Sequence, residues 1–187
     1  MTRIIGGVLG SFRLKGPAKA TRPTSDRVKE SLFSILESRG AIRDARVLDL
    51  FAGTGALGLE AASRGARSVT LVEKDAAAAK VCEANLKQVT EGLAKAGLKS
   101  DVRLVRGDFK SYLKKNDLMD LVFIDPPYET ADKEVLASVE DICLSQDGVV
   151  VVERAAKFQL PSHRGFLLDQ EKTYGDTKVF FFRDGAR

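Results

Sequence analysis

The chain has 187 residues, of which 44 % are hydrophobic and 30 % charged. This is the balance of one globular domain, large enough to bury roughly 70 % of its unfolded surface without disulfides or metals. Cys82 and Cys143 lie in apolar stretches with no paired spacing, which argues against a zinc site or a secreted disulfide framework and suits a reducing cytosol. The opening residues lack the apolar run of a signal peptide, and the valines at 149–152 are too few to cross a bilayer, so a cytoplasmic protein is expected. The net charge is +4, yet residues 1–30 hold seven basic and two acidic side chains, +5, leaving −1 for the rest. A near-neutral body with a basic front suggests a polyanion docking there, the alternative being a solvated arm with no partner.

In chain order, Arg3 to Leu9 and Phe12 to Lys15 flank Gly10-Ser11, a pair suited to a tight β-hairpin with positive φ at the glycine. Gly16-Pro17 ends it. Thr21 to Asp26 offers N-cap oxygens, and Val28, Leu32, Phe33, Ile35 and Leu36 then fall at helical spacing up to Gly40. From residue 45 strands and helices alternate. Ala45–Phe51 reads as a strand, Ala56–Arg64 a helix, Ser68–Val72 a strand, Asp75–Gln88 a helix and Val102–Val105 a strand. Phe109–Lys115 follows as a helix, Met119–Ile124 as a strand, Thr130–Leu144 as a helix and Gly148–Glu153 as a strand. Continuous apolar strands joined by helices specify a parallel sheet covered on both faces. Phe166–Tyr174 and Thr177–Arg183, split by Gly175-Asp176, add an antiparallel hairpin at the end. The expected fold is a doubly wound α/β sheet of seven mainly parallel strands. It divides into a basic hairpin-plus-helix extension, residues 1–40, and a ligand-binding domain, residues 41–187.

Two segments carry chemistry. The first is Asp49-Leu50-Phe51-Ala52-Gly53-Thr54-Gly55-Ala56-Leu57-Gly58, at a strand-to-helix junction. Its glycines let the backbone approach a ligand closely and spell G-x-G-x-x-G. Glu73 follows about 20 residues on, at the next strand end, where a carboxylate can accept both hydroxyls of a ribose. This motif alone does not separate a dinucleotide from S-adenosylmethionine. The second is Asp125-Pro126-Pro127-Tyr128 after the fourth strand, at the sheet edge where such folds bind ligands. Two prolines stiffen the loop and remove competing N–H groups, so the Asp125 carboxylate and the Pro126 carbonyl can both accept from an exocyclic amine while Tyr128 stacks on its ring. Asp108 can bond the adenine amine of a cofactor, with Phe109 nearby, or simply cap the following helix. Asp49 orients the amino-acid end of the cofactor or stabilises the loop. His163, the only histidine, lies in a polar irregular stretch and reads as a loop residue, and no cluster has metal-ligand spacing.

These residues resemble class I S-adenosylmethionine-dependent methyltransferases that modify amino groups, and more closely the RsmD family of bacterial 16S rRNA methyltransferases. The similarity rests on Arg3-Ile4-Ile5-Gly6-Gly7, Thr21-Arg22-Pro23-Thr24-Ser25-Asp26-Arg27-Val28, Asp49 to Gly55, Ser63-Arg64-Gly65-Ala66, Asp125 to Tyr128, and Tyr174-Gly175-Asp176-Thr177. One departure is Tyr128, where that family often has phenylalanine. The resemblance implies a Rossmann-like fold, methyl transfer by in-line displacement to the N2 amine of a guanine in 16S rRNA, and no metal. It implies catalysis at Asp125, Pro126, Pro127 and Tyr128. Cofactor binding falls to Asp49, Phe51, Ala52, Gly53, Thr54, Gly55, Glu73, Lys74, Asp108 and Phe109. Arg3, Arg13, Lys15, Arg22, Thr24 and Arg27, within a basic stretch reaching Lys29, would grip RNA of a small ribosomal subunit or assembly intermediate. The same cleft suits a DNA adenine-N6 or protein-amide methyltransferase. An NAD-dependent dehydrogenase leaves the D-P-P-Y loop without purpose, and a non-catalytic RNA-binding module explains only the basic front.

Overall fold

The structure, a computed structural model, describes residues 2–16, 26–115, 117–127, 130, 135, 139–159 and 165–185. Seven strands, β1 (Arg46–Asp49), β2 (Ser68–Glu73), β3 (Asp101–Arg106), β4 (Met119–Ile124), β5 (Leu144–Ala155), β6 (Phe166–Tyr174) and β7 (Thr177–Asp184), form one sheet in the order β3-β2-β1-β4-β5-β7-β6. The first five run parallel, and β7 is antiparallel to both β5 and β6. Strand order reverses between β1 and β4, which opens a crevice at their carboxyl ends.

Alternation along each strand sorts the core into two layers. Val47, Leu121, Phe123, Val149, Val151 and Phe181 point to one face, with α1 (Asp26–Ser38), α2 (Ala56–Ser63) and α3 (Ala76–Lys95). Leu48, Val122, Ile124, Val150, Val152 and Phe182 point to the other, with α4 (Phe109–Leu113) and the buried helical residues Val135 and Val139. Both faces of the central strands are therefore dry, as the continuous apolar runs require. Ile4 and Leu14 from the N-terminal segment lie in the first layer beside Leu32 and Phe33 of α1. Gly40 closes the chain after α1 in a left-handed conformation, φ 67°.

The structure corrects several boundaries. The expected N-terminal hairpin is reduced to one antiparallel bridge, Arg3 with Arg13, and Gly7–Leu9 form a 3₁₀ turn. The cause is competition: the Ile5 and Gly6 N–H groups donate to the Glu60 carboxylate at 2.7 and 2.8 Å instead of to a facing strand. Positive φ falls on Ser11 at 74° and Gly7 at 72°, while Gly10 has φ −48°. α3 continues past Gln88 to Lys95 because Val89 and Leu93 prolong the buried stripe of Ala79 and Cys82. The helix expected to reach Leu144 stops earlier, since Leu144 already pairs with Met119 in β5. Ser145 to Asp147 then cross a register shift before the valine run pairs with β4.

Candidate active site

Four carboxylates end four neighbouring strands at the crevice: Asp49 on β1, Glu73 on β2, Asp108 just beyond β3 and Asp125 just beyond β4. The turn from β1 into α2 is held at several points. Leu50 N–H donates to the Phe123 carbonyl at 3.0 Å, Ala52 N–H to the Val72 carbonyl at 3.0 Å and Gly55 N–H to the Ala52 carbonyl at 2.6 Å. Gly55 stands at the N-cap of α2 with φ 83°, and a Cβ there would sit 3.0 Å from both Cys82 Sγ and Leu59 Cδ1. Only glycine meets both demands without strain.

Asp49 is buried to 1 % exposure. Its Oδ2 accepts the Gly58 N–H at 3.1 Å, and its Oδ1 has no hydrogen-bond partner among the described residues. Burial pushes its carboxyl up to about 7, and the charges of Asp125 and Glu73 add to the rise; the Gly58 and Phe51 N–H groups offset part of it. That mutual repulsion brings β1, β2 and β4 into one electrostatic site. Glu73 bonds Gly53 N–H through Oε2 and Asp75 N–H through Oε1, both at 2.7 Å, so it braces the glycine loop from below. Asp108 caps α4 through Lys110 N–H at 2.9 Å and pairs with Lys74 at 3.2 Å. Burial works against ionisation of Asp108, but these two donors outweigh it and hold the carboxyl below the usual range. Its capping role is thus realised. Phe109 packs on Phe51 with ring centroids 4.7 Å apart, which walls the crevice on the α4 side.

Asp125 is half-buried, Pro126 buried and Pro127 exposed. The Pro127 carbonyl accepts Thr130 N–H at 2.9 Å, and Arg154 Nη2 on β5 donates to the Thr130 carbonyl at 3.1 Å. Tyr128, Arg22, Thr24 and His163 lie outside the described residues. Arg3, Arg13, Lys15 and Arg27 are exposed, Arg3 and Arg13 facing each other across their bridge. Lys29 does not join them: it is 1 % exposed, lies 3.7 Å from Glu60 Oε2 and donates to the Arg3 carbonyl. This corrects the basic stretch expected to reach Lys29, because the charge is spent inside the protein.

Sequence reasoning gave no role to three residues that organise this region. Glu60, fully buried on α2, accepts from Ile5 N–H, Gly6 N–H and Arg64 Nε at 2.7, 2.8 and 2.8 Å. Ser63 donates to the Gly6 carbonyl at 2.7 Å and accepts Leu9 N–H at 3.0 Å. A Cβ on Gly7 would lie 2.1 Å from the Ser63 carbonyl oxygen, so the Arg3 to Gly7 and Ser63 to Ala66 segments interlock. Asn85, fully buried on α3, binds the N-terminal segment and the glycine loop together. The available signal was a polar residue set on an otherwise apolar helical stripe, as with Lys29 beside Val28 and Leu32, and Asn85 between Cys82 and Val89.

A single buried acceptor with an empty oxygen, beside a glycine turn and a ribose-suited carboxylate, fits a ligand carrying an amino group and a ribose, as S-adenosylmethionine does. Among the described residues no group of three or more His, Cys, Asp or Glu is placed to hold a metal ion, and no helix is long and apolar enough to cross a membrane.

Residues 2–183 match the family model described as Conserved hypothetical protein 95. The chain is 37 % identical over 190 residues to the Ribosomal RNA small subunit methyltransferase D of Escherichia coli (strain K12), covering 99 % of this chain and 91 % of that one. It is 33 % identical over 176 residues to the protein of the same name from Haemophilus influenzae, covering 92 % and 89 %. The solved Escherichia coli protein yhhF is 35 % identical and superposes with a TM-score of 0.81 over 99 % of this chain and 98 % of that one. The fold alone is shared with the rRNA methyltransferase aviRa of Streptomyces viridochromogenes, TM-score 0.67 at 15 % identity, over 90 % of this chain and 88 % of that one.

Proposed function

The chain belongs to the family described as Conserved hypothetical protein 95, the RsmD family, and on that premise we propose that it methylates the exocyclic N2 amine of a guanine in 16S rRNA. It is a class I methyltransferase that uses S-adenosylmethionine, and its substrate is ribosomal RNA. When bound, the cofactor would supply an electrophilic methyl group: the N–CH3 bond forms as the S–CH3 bond breaks, S-adenosylhomocysteine is left, and the surplus amine proton passes to water or to Asp125. Asp49, Phe51, Ala52, Gly53, Thr54, Gly55, Glu73, Lys74, Asp108 and Phe109 would hold it at the crevice.

The observation that carries the amine specificity is the Asp125-Pro126-Pro127 corner, which leaves β4 beside Asp49 and is close enough to raise its pKa. The Asp125 carboxylate and Pro126 carbonyl accept the two N–H groups of the base, which fixes the amine plane and turns its lone pair toward the cofactor pocket. Pro127 has no N–H to compete. Tyr128, next in sequence, is assigned the stack on the ring. Reaching such a corner requires an unstacked base, at a cost of a few kcal/mol, which favours an exposed loop or a partly assembled small subunit in the cytoplasm as the target. Residues 1–40 serve as the docking extension, with Arg3, Arg13, Lys15, Arg22, Thr24 and Arg27 on the phosphates and residues 41–187 carrying the chemistry.

The test is transfer of labelled methyl groups to small ribosomal subunits and to naked 16S rRNA, followed by digestion to nucleosides. N2-methylguanosine is the expected product. Labelled N6-methyladenosine, or label in protein alone, would overturn the assignment.

A further inference from the structure

Asn85 has an unusual set of partners for a core side chain. It is fully buried, and its Oδ1 accepts Lys15 N–H at 2.8 Å while its Nδ2 donates to the Lys15 carbonyl at 3.1 Å and to the Thr54 carbonyl at 2.9 Å. Both Nδ2 hydrogens are used. One amide therefore holds two segments that lie 39 positions apart in sequence. The first is the N-terminal segment at the point where its backbone is tied inward and the Lys15 side chain is exposed. The second is the middle of the glycine loop. Thr54 stands between Gly53 at φ 55° and Gly55 at φ 83°, whose N–H groups are held by Glu73 and the Ala52 carbonyl, while the Thr54 carbonyl accepts from Asn85 alone among the hydrogen bonds of the described residues. α3 serves as the common platform, since Gly92 also lies under Leu9.

We propose that Asn85 is a positioning residue that couples the two binding events: RNA on the basic segment sets the Thr54 peptide for the cofactor, and the cofactor in turn steadies the segment for RNA. The proposal rests on the docking role given to residues 1–40. Three hydrogen bonds of 2.8–3.1 Å to one planar amide tie Lys15 to Thr54, and a buried amide that loses one partner leaves a polar group unsatisfied. Segment and loop therefore shift together. Linkage requires the effect to be reciprocal, with one factor describing both directions.

The experiment measures the dissociation constant of S-adenosylhomocysteine with and without saturating 16S rRNA transcript, and that of the transcript with and without saturating S-adenosylhomocysteine. In the unaltered protein each ligand tightens the other by the same factor, about fivefold or more. In Asn85→Ala the factor falls to about one. Lys15→Pro, which removes the N–H on the other side of the bond without touching α3, lowers it likewise and serves where Asn85→Ala does not fold. Lys15→Ala keeps the backbone pair, so RNA affinity falls while the factor stays. A factor of one in the unaltered protein, or an undiminished factor in a folded Asn85→Ala or Lys15→Pro variant, overturns the proposal. The docking role itself fails separately: charge reversal at Arg13 and Lys15 would then leave RNA affinity unchanged.

Discussion

Asp49 and Glu60 are both fully buried carboxylates, separated by the glycine turn and the first half of α2, and they are treated in opposite ways. Glu60 is surrounded by donors: two backbone N–H groups, Arg64 and Lys29. Asp49 has only the Gly58 and Phe51 N–H groups on its side, leaves Oδ1 without a hydrogen bond and faces two further acids. A buried charge with all its partners present fixes a chain segment in place. A buried acid short of partners is costly unless a ligand completes it, which marks the region where binding occurs. The contrast separates what builds the protein from what it works with.

The largest effect should come from breaking the satisfied member. Glu60→Ala strands Lys29 and the Ile5 and Gly6 N–H groups, and should cost about 3–5 kcal/mol in denaturant unfolding. A loss under about 1 kcal/mol would show that the cluster is replaceable. Asp125→Ala should behave in the opposite way. Methyl transfer should fall by about 100-fold or more, with thermal stability and S-adenosylhomocysteine affinity within a few-fold of the parent, as single-turnover kinetics and calorimetry would show.

Asp49→Asn sharpens the comparison through pH. The folded carboxyl titrates at about 7, against about 4 in an unfolded chain, so the native state holds a proton that the unfolded state has lost. This group's contribution to stability is complete below about pH 4 and disappears as pH rises through 7. Asparagine lacks that dependence, so the melting temperature of the variant relative to the parent should climb between pH 5 and pH 8. Measured above pH 7, where the parent carboxyl is ionised, the variant's affinity for S-adenosylhomocysteine should drop about tenfold for want of an anionic acceptor. A flat difference across pH would place the proton elsewhere. The smallest effect is expected at the exposed basic side chains of the N-terminal segment and α1. Arg13→Glu with Arg27→Glu should weaken RNA binding a few-fold at moderate salt and make its salt dependence shallower, leaving stability unchanged.

The parallel sheet was legible because β1, β2, β4 and β5 carry apolar runs that need two covers, with β3 the half-exposed edge strand, and the antiparallel hairpin because Gly175-Asp176 divides two extended segments. The cleft was legible because glycines and acids fall at successive strand ends. What escaped was long-range: a hairpin pattern at residues 3–15 gives no warning that Glu60 will take its N–H groups, and Lys29 looks like any other base until α1 turns it inward. Spacing within a segment shows which face is buried, not which distant donor is waiting there. Asn85 is the intermediate case, a polar residue whose place on a helical stripe announces burial without naming Lys15 and Thr54.

The sheet order has a consequence for synthesis. β7 lies between β5 and β6, although it is the last of the three to leave the ribosome. Until residues 177–184 emerge, the edge of β5 with its four valines is unpaired and β6 has no neighbour to join. A nascent chain halted before Thr177 would thus present a sticky strand to whatever is nearby, and pairing of β7 with both neighbours is what covers it.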